Sequence, residues 1–192
     1  MPQDSLPDTA RQSTRFLYLY ALAAAGGSIA YIPLLTILLP VHVTKTAGES
    51  ALNLLSYIAF AGAISASLAN IGFGWASDIS GTRRPWIAVG MLLSCALLLT
   101  VPMITQPAAL IAVIVCWQFA LNMMLAPLSA WAGDVVPDAQ KGMLGGLMAL
   151  APALGALSGA LVTMQGIIPD DQRLIWVAAL VVILVGPVLL FG

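Results

Sequence analysis

Charged residues are scarce in this sequence. Seven lysines and arginines and eight aspartates and glutamates make up 8% of its 192 residues, against roughly a quarter in an average soluble domain. Apolar residues make up 60%, and so few charges cannot give a chain of this size a solvated surface. The surplus apolar surface must therefore face lipid. This excludes a soluble enzyme and a disordered chain, and the net charge of −1 speaks against a nucleic-acid partner.

Cysteine and histidine are also scarce. The two cysteines, Cys95 and Cys116, lie inside apolar runs, and we expect small buried hydrophobic side chains rather than a disulfide or a metal pair. The one histidine, His42, leaves no cluster of histidine, cysteine and carboxylate side chains, so neither a metal nor another cofactor is expected. We expect His42 to be a solvated residue at the outer end of the first helix.

Five long stretches of the chain contain no charged residue. They are residues 16–44, 50–77, 85–133, 142–169 and 174–192. A membrane-spanning helix needs about 20 apolar residues, so four stretches hold one helix each. The longest holds two, separated at Pro102 and Pro107. The sequence therefore predicts an all-α polytopic membrane protein with a tail at 1–15 and a six-helix bundle at 16–192. The predicted helices are 16–41, 51–77, 86–104, 108–132, 142–166 and 174–191.

The positive residues predict the orientation in the cell membrane. With the N-terminus in the cytoplasm, only Lys45 and Arg173 face outward. The excess on the inner side favours this arrangement and places the C-terminus inside as well. The apolar run to Gly192 has no polar tail after it, so we expect further sequence or a second chain. The positive residues predicted on the inner side are Arg11, Arg15, Arg83, Arg84 and Lys141.

The loop between the second and third predicted helices reads Gly74-Trp-Ala-Ser-Asp78-Ile-Ser-Gly81-Thr-Arg83-Arg84. Asp78 ends a helix, where the helix dipole disfavours an acid, and it needs a partner such as Arg83 or Arg84. Gly81 permits the tight reversal between antiparallel helices, and Gly74 lets another helix approach closely. The alternative is that these charges are ordinary solvated loop residues.

This loop resembles the signature loop of the major facilitator superfamily, G-x-x-x-D-[RK]-x-G-[RK]-[RK]-[RK]. Ile79 and Thr82 stand in place of two basic residues of the pattern. The matching positions are Gly74, Asp78, Gly81, Arg83 and Arg84. Two segments resemble loops of its glycoside–pentoside–hexuronide and sucrose permeases. One is the run 83–90, and the other follows the fourth helix and contains Asp134, Pro137, Lys141 and Gly142.

The resemblance implies one six-helix half of a transporter that moves a small organic solute by alternating access. A sugar is the first expectation, and drug or metabolite efflux is the alternative. The implied partner is a second six-helix half, and the loop 74–84 would latch the halves together on the cytoplasmic side. Cation-coupled permeases of this branch carry carboxylates within the membrane, whereas Asp78 and Asp134 lie at helix ends here. Coupling to protons or sodium stays open.

Polar side chains at membrane depth are candidate solute contacts. Gln118 and Asn122 are four residues apart and share one face of the fourth helix, and we expect Tyr57 to share a face of the second helix with Ser65. The resemblance implies that helices one, two, four and five line the cavity. Amides and tyrosines suit polyhydroxylated solutes, and helix packing is the alternative role. The expected contacts are Tyr31, Tyr57, Gln118 and Asn122.

Two functions of another class stay open as alternatives. An intramembrane serine protease needs a buried serine and a histidine on facing helices. Ser158 precedes Gly159, but His42 is expected at the end of another helix, so no enzymatic activity is expected. A membrane scaffold without a solute path would not need the pattern of the loop 74–84.

Overall fold

The computed structural model of the protein describes residues 11–192, and every regular element in that range is a helix. The all-helical prediction is therefore confirmed for this part of the chain. The first ten residues of the predicted tail lie outside the described residues. The α-helices are α1 (Thr14–Pro33), α2 (Leu39–Ala47), α3 (Ala51–Ser80), α4 (Arg84–Thr100), α5 (Pro107–Val135), α6 (Asp138–Met148), α7 (Ala151–Thr163) and α8 (Arg173–Phe191).

Five helical segments of residues 11–192 are long and apolar enough to cross a membrane. Their mean hydropathy lies between 1.7 and 2.9, which is compatible with the membrane protein that the composition predicts. The first segment contains the first two of the six helices predicted from the charge pattern. The segments are Thr14–Ser80, Arg84–Met103, Pro107–Val135, Asp138–Thr163 and Asp170–Phe191.

The first segment, Thr14–Ser80, folds back on itself. As one straight helix its 67 residues would extend roughly 100 Å, about three times the thickness of the hydrocarbon core. The reversal lies at Gly48, where φ is 53° and ψ is −122°, followed by a short 3₁₀ turn over Gly48–Ser50. Beyond it α3 packs against α2, and Leu39 lines one cavity together with Ala59. Thr14–Ala47 and Ala51–Ser80 are thus two antiparallel arms.

Most helix ends differ from the predicted ones by up to four residues, and two differences change the shape of a helix. The first arm continues to Ala47, six residues beyond the predicted end, through a π-helical segment at Leu34–Leu38 that follows Pro33. The predicted helix 142–166 begins earlier, at Asp138, and is interrupted between Met148 and Ala151. The interruption has a local cause, because Pro152 has no N–H to donate to the carbonyl of Met148.

Two helices organise the packing of the bundle. The helix α1 contacts α7 and α8, and α5 contacts α3 and α4. A contact between α4 and α8 joins these two groups. Glycines permit the tightest approaches. A Cβ built at Gly90 of α4 would lie 2.4 Å from the backbone nitrogen of Met124 in α5, and one at Gly155 of α7 would lie 3.1 Å from the carbonyl oxygen of Ser28 in α1.

The two cysteines have different surroundings. Cys95 is buried between α4 and α8, as predicted. The expectation of burial is wrong for Cys116, which is exposed. It lies on the same face of α5 as the exposed Phe119. Exposure of apolar side chains on such a face fits contact with lipid.

Candidate functional site

The turn between α3 and α4 places Arg83 at the end of the bundle. Gly81 has φ 63°, in the left-handed region that glycine adopts without strain. Its N–H donates to the carbonyl oxygen of Asp78 at 3.2 Å and so closes the last turn of α3. The chain then enters α4 directly at Arg84, with Arg83 in the preceding position. The reversal predicted at Gly81 is made in this way.

The guanidinium of Arg83 joins three helices. It pairs with Asp78 at the end of α3 and with Asp134 at the end of α5, where Nη2 and Nε lie 2.9 and 3.0 Å from Oδ2. Nη1 donates to the hydroxyl of Ser77 at 2.5 Å. Although burial alone would lower it, the hydrogen bonds from the guanidinium to Asp78 and Asp134 raise the pKa of Arg83 above its ordinary value.

Arg84 does not pair with Asp78, so the choice left open by the sequence falls on Arg83. The Arg84 guanidinium lies over the ring of Trp131, 5.3 Å from its centroid, and it donates to the carbonyl oxygen of Gly192. Trp131 itself packs edge-on against Phe16 of α1. Both arginines line a cavity of about 710 Å³ at this end of the bundle.

Gly74 does not play the part expected of it within this chain. No atom of another element lies within 4 Å of a Cβ built at this position, so α3 makes no close approach there among the described residues. Its carbonyl oxygen accepts a bond from the hydroxyl of Ser77 at 2.8 Å. Ser77 is fully buried and also accepts from Arg83. Ser77 thus connects the backbone at Gly74 to the charge cluster.

The second predicted loop meets the first one through Asp134. Pro137 is extended, with φ −65° and ψ 153°, and stands immediately before α6. Lys141 pairs with Asp138 at 2.6 Å and does not reach Arg83. Gly142 lies on α6, and a Cβ built there would meet no atom of another element within 4 Å. Asp134 is therefore the member of this loop that belongs to the cluster.

Two glutamines that sequence reasoning did not select add a further tie at this end. The backbone N–H of Gln12 donates to Oε1 of Gln140 at 2.8 Å, and Nε2 of Gln140 donates to the carbonyl oxygen of Gln12 at 2.9 Å. The side chain of Gln12 also donates to the carbonyl oxygen of Val135 at 2.9 Å. The segment before α1 is thereby fastened to the α5–α6 loop, next to Asp134.

A row of amides lies between α3 and α5, with Asn70 at its exposed end. Gln118 and Asn122 are both buried, and Nδ2 of Asn122 donates to the backbone carbonyl oxygen of Gln118 at 2.9 Å. Asn70 of α3 donates to Oδ1 of Asn122 at 3.3 Å. Asn70 is the member of this row that the sequence analysis missed, and α3 carries a second amide, Asn53, so the sequence alone does not show which of the two meets α5.

Two cavities flank the amide row. One of about 400 Å³ lies between the first arm, α3 and α5, and Gln118 forms part of its wall. The other, of about 310 Å³, lies where α1, α3, α5 and the α6–α7 junction meet, and Tyr31 and Asn70 form part of its wall. The structure therefore brings three of the four expected contact residues to one side of the bundle. These three are Tyr31, Gln118 and Asn122.

Tyr57 is not part of this group. Its side chain is 66% exposed, and it lies in a stripe of large exposed side chains along α3. A second stripe along α3 carries small or polar side chains, and Ala59, Ala63 and Asn70 of this stripe line the two cavities. The large stripe is Tyr57, Phe60, Ile64, Leu68, Ile71, Trp75 and Ile79, and the small stripe is Ser56, Ala59, Ala63, Ser67, Asn70 and Gly74.

The chemistry of the interior is that of uncharged hydrogen bonding. The side-chain amide of Gln118 makes no hydrogen bond to a described residue, so both its donors and its acceptor can serve a solute.

Within residues 11–192 no three histidine, cysteine or carboxylate side chains come together in a way that could hold a metal ion. Comparison of the chain with protein-family models, with curated proteins and with solved structures finds no match.

Proposed function

We propose that this chain is a six-span half of a transmembrane transporter, similar to the major facilitator superfamily, that moves a small organic solute by alternating access. The observation that carries the proposal is the amide row with its two cavities, which lies between the first arm, α3, α5 and the α6–α7 junction. Uncharged polar groups beside cavities at membrane depth are typical of a solute path. A second half would cover the open side of these cavities.

The pattern of helix contacts supports a transporter-like internal repeat. The first arm, α3 and α4 correspond in their contacts to α5, α6–α7 and α8. The contact of α1 with α7 corresponds to that of α5 with α3, and the contact of α1 with α8 corresponds to that of α5 with α4. The contact between α4 and α8 joins the two sets. Counting the two arms of Thr14–Ser80 as separate spans gives two units of three spans. Many transporters are built from repeats of this kind.

The charge cluster around Arg83 supports the same proposal from one end of the bundle. In the proposed orientation this end faces the cytoplasm, because the positive residues concentrate there. A guanidinium that holds the ends of α3 and α5 together can stabilise one conformation of the bundle end. We propose that this cluster is the cytoplasmic latch and that the protein resides in the cell membrane.

The solute chemistry is proposed from the donors and acceptors at hand. The Gln118 amide and the Tyr31 hydroxyl offer both donors and acceptors, which suits a polyhydroxylated solute such as a sugar. Asp78 and Asp134 lie at the bundle end in the Arg83 cluster, so a coupling carboxylate at mid-depth would have to come from the second half. Export of a drug or metabolite is the alternative within the same class.

The alternatives of another class receive less support. The hydroxyl of Ser158 donates to the carbonyl oxygen of Gly155 in its own helix, at 2.7 Å. His42 contacts the carbonyl oxygen of Ile104, so the serine and the histidine do not face one another. A scaffold would have no need of a row of amides beside cavities.

Counterflow of radiolabelled sugars into proteoliposomes that contain the purified chain tests the proposal. We expect saturable flux that the Gln118→Leu variant lowers at least tenfold, because the variant keeps the size of the side chain and removes the donors and the acceptor that it offers to the solute. The matched control is Leu68→Ala, which alters the large stripe of α3. Flux no greater than in empty liposomes, from chain that inserts and self-associates, would contradict the proposal.

A further inference from the structure

The cavity between the first arm, α3 and α5 has an almost entirely apolar wall. We name it the Gln118 cavity, because Gln118 alone carries a polar side chain among the described residues that line it. Each of the three elements contributes leucine or isoleucine side chains, among them Leu35, Leu55 and Ile114. Its volume of about 400 Å³ lies within the range of ordinary ligand pockets, which are mostly apolar with a few polar groups.

The side-chain amide of Gln118 is buried and unpaired, yet it can be reached from the cavity. The residue is 8% exposed, and its amide makes no hydrogen bond to a described residue. Among residues 11–192 one side-chain nitrogen or oxygen is fully enclosed without a partner, and it belongs to Arg173. Because the Gln118 atoms are unpaired but not enclosed, they must border open space. In an apolar wall they can bond only to a molecule that enters the cavity.

The neighbours of Gln118 leave its amide available. A Cβ built at Gly62 of α3 would lie 3.6 Å from Nε2 and 3.8 Å from Cγ of Gln118, so the side chain extends from α5 to the surface of α3. Asn122 donates to the backbone carbonyl oxygen of Gln118 at 2.9 Å, and not to its side chain. The amide is thus held between two helices without an internal hydrogen bond.

Polar groups at the outer end of the bundle are engaged by comparison. The expectation that His42 is solvated is wrong, since its side chain is half-buried and Nε2 lies 2.8 Å from the carbonyl oxygen of Ile104. A carbonyl oxygen can only accept, so Nε2 carries the proton and donates. Lys45 and Arg173 both pair with Asp170, at 3.5 and 2.7 Å. A ligand there would have to displace these contacts, whereas one at Gln118 would displace none.

The chemistry of the Gln118 cavity restricts its ligand. A carboxamide presents an N–H donor and a carbonyl acceptor side by side, and a second carboxamide or a lactam carries the complementary pair. No charged side chain of the described residues lines the cavity, so a charged ligand would lose water without gaining a counter-ion. A polyhydroxylated ligand could pair with Gln118, but its other hydroxyls would face carbon. An apolar body would gain from the same wall.

We propose that the Gln118 cavity binds an uncharged molecule with an apolar body and one carboxamide or lactam group. The group donates to Oε1 and accepts from Nε2 of Gln118, and the body packs on the leucine and isoleucine side chains of the wall. This inference rests on the proposed function, because the cavity belongs to the same solute path. It extends the solutes of that path to apolar amides, which compete with a sugar for Gln118.

Equilibrium dialysis of the purified full chain in detergent micelles with radiolabelled naphthamide tests the site. Naphthoate keeps the ring but is charged at neutral pH, and methylnaphthalene keeps the ring without an amide. After subtraction of uptake by empty micelles, we expect saturable naphthamide binding at least tenfold tighter than binding of either probe. No saturable naphthamide binding would overturn the proposal. Methylnaphthalene bound as tightly would overturn it too, since the cavity would then be a groove for any apolar chain, including that of a lipid.

Two variants locate the ligand. Gln118→Leu should weaken naphthamide binding about tenfold and leave methylnaphthalene binding unchanged, because it removes only the hydrogen bonds. Ala63→Phe should weaken binding of both, since Ala63 lines the cavity and is exposed. Ser67→Phe is the matched control: it makes a similar enlargement at an exposed position of α3, one helical turn away and outside the cavity wall. Naphthamide binding that Gln118→Leu leaves intact, or that Ser67→Phe weakens as much as Ala63→Phe, would overturn the proposal.

Dialysis does not require transport, so this inference and the proposed function fail separately. Saturable sugar counterflow by a chain that does not bind naphthamide would overturn the inference and leave the proposed function standing. Naphthamide bound as expected by a chain that shows no counterflow would support the cavity as a binding site and contradict the proposed function.

Discussion

Neutralising Arg83 is the most informative perturbation of the charge cluster. The Arg83→Gln variant removes the guanidinium that bonds Ser77, Asp78 and Asp134. A hydrogen bond to a charged group contributes about 1.5–3 kcal/mol, but Asp78 and Asp134 are 59% and 52% exposed. Water therefore replaces much of what each carboxylate loses. The expected cost is about 2–3 kcal/mol in the free energy of unfolding.

A double-mutant cycle separates the two carboxylates. Two nitrogens of Arg83 share Oδ2 of Asp134, at 2.9 and 3.0 Å, so we expect a coupling of about 1–2 kcal/mol between Arg83→Gln and Asp134→Asn. Tryptophan fluorescence during reversible unfolding in mixed micelles measures each variant. The neighbouring Arg84→Gln, which loses the cation–π contact with Trp131 and an exposed hydrogen bond to the carbonyl oxygen of Gly192, is the control and should cost about 1 kcal/mol.

The reasoning would be refuted by a coupling below about 0.3 kcal/mol, which is the usual scatter for independent sites. It would be refuted equally if Arg84→Gln cost as much as Arg83→Gln. Either result would mean that the charges at this end of the bundle are solvated loop residues, which is the alternative that the sequence left open.

Three further predictions address packing, the attachment of the segment before α1, and the solute path. Gly90→Ala should lower the free energy of unfolding by about 1–3 kcal/mol, because its Cβ meets the α5 backbone at 2.4 Å. Gly72→Ala is the control, since a Cβ there has no atom of another element within 4 Å. Equal unfolding midpoints for the two variants would disprove the close approach at Gly90. Gln140→Leu should speed hydrogen exchange at the Gln12 amide about fivefold, since one hydrogen bond contributes about 1 kcal/mol; an unchanged rate would show that this bond does not protect the amide. Tyr57→Leu should leave counterflow unchanged, because its side chain is in the large stripe of α3; a loss as great as that expected for Gln118→Leu would return Tyr57 to the cavity.

Much of the helical layout could be predicted from the charges alone. Runs without charge mark where the chain can enter lipid, and the cost of burying a charge keeps the run ends close to the helix ends. The π-helical segment at Leu34–Leu38 and the interruption before Ala151 were not predicted, because each depends on a local rearrangement of hydrogen bonds that composition does not reveal.

The candidate site could be predicted less completely. Gln118 and Asn122 could be paired because four residues return to the same helix face. Tyr57 and Ser65 are eight residues apart, which leaves about 80° between their directions, so Ser65 is buried while Tyr57 is exposed. The contact of Asn70 with Asn122 depends on the register between α3 and α5. Tertiary packing sets that register, and local sequence does not.

The central claim is that the chain spans the bilayer with the Arg83 turn on the cytoplasmic side. Its most direct test is labelling of single cysteines in intact cells with a membrane-impermeant maleimide, after Cys95 and Cys116 are replaced by alanine. Ser50→Cys lies at the turn between the two arms and Thr82→Cys at the Arg83 turn, and both positions are exposed. We expect Ser50→Cys to label in intact cells and Thr82→Cys to label only after permeabilisation. The reverse pattern, or equal labelling of both before permeabilisation, would contradict the claim.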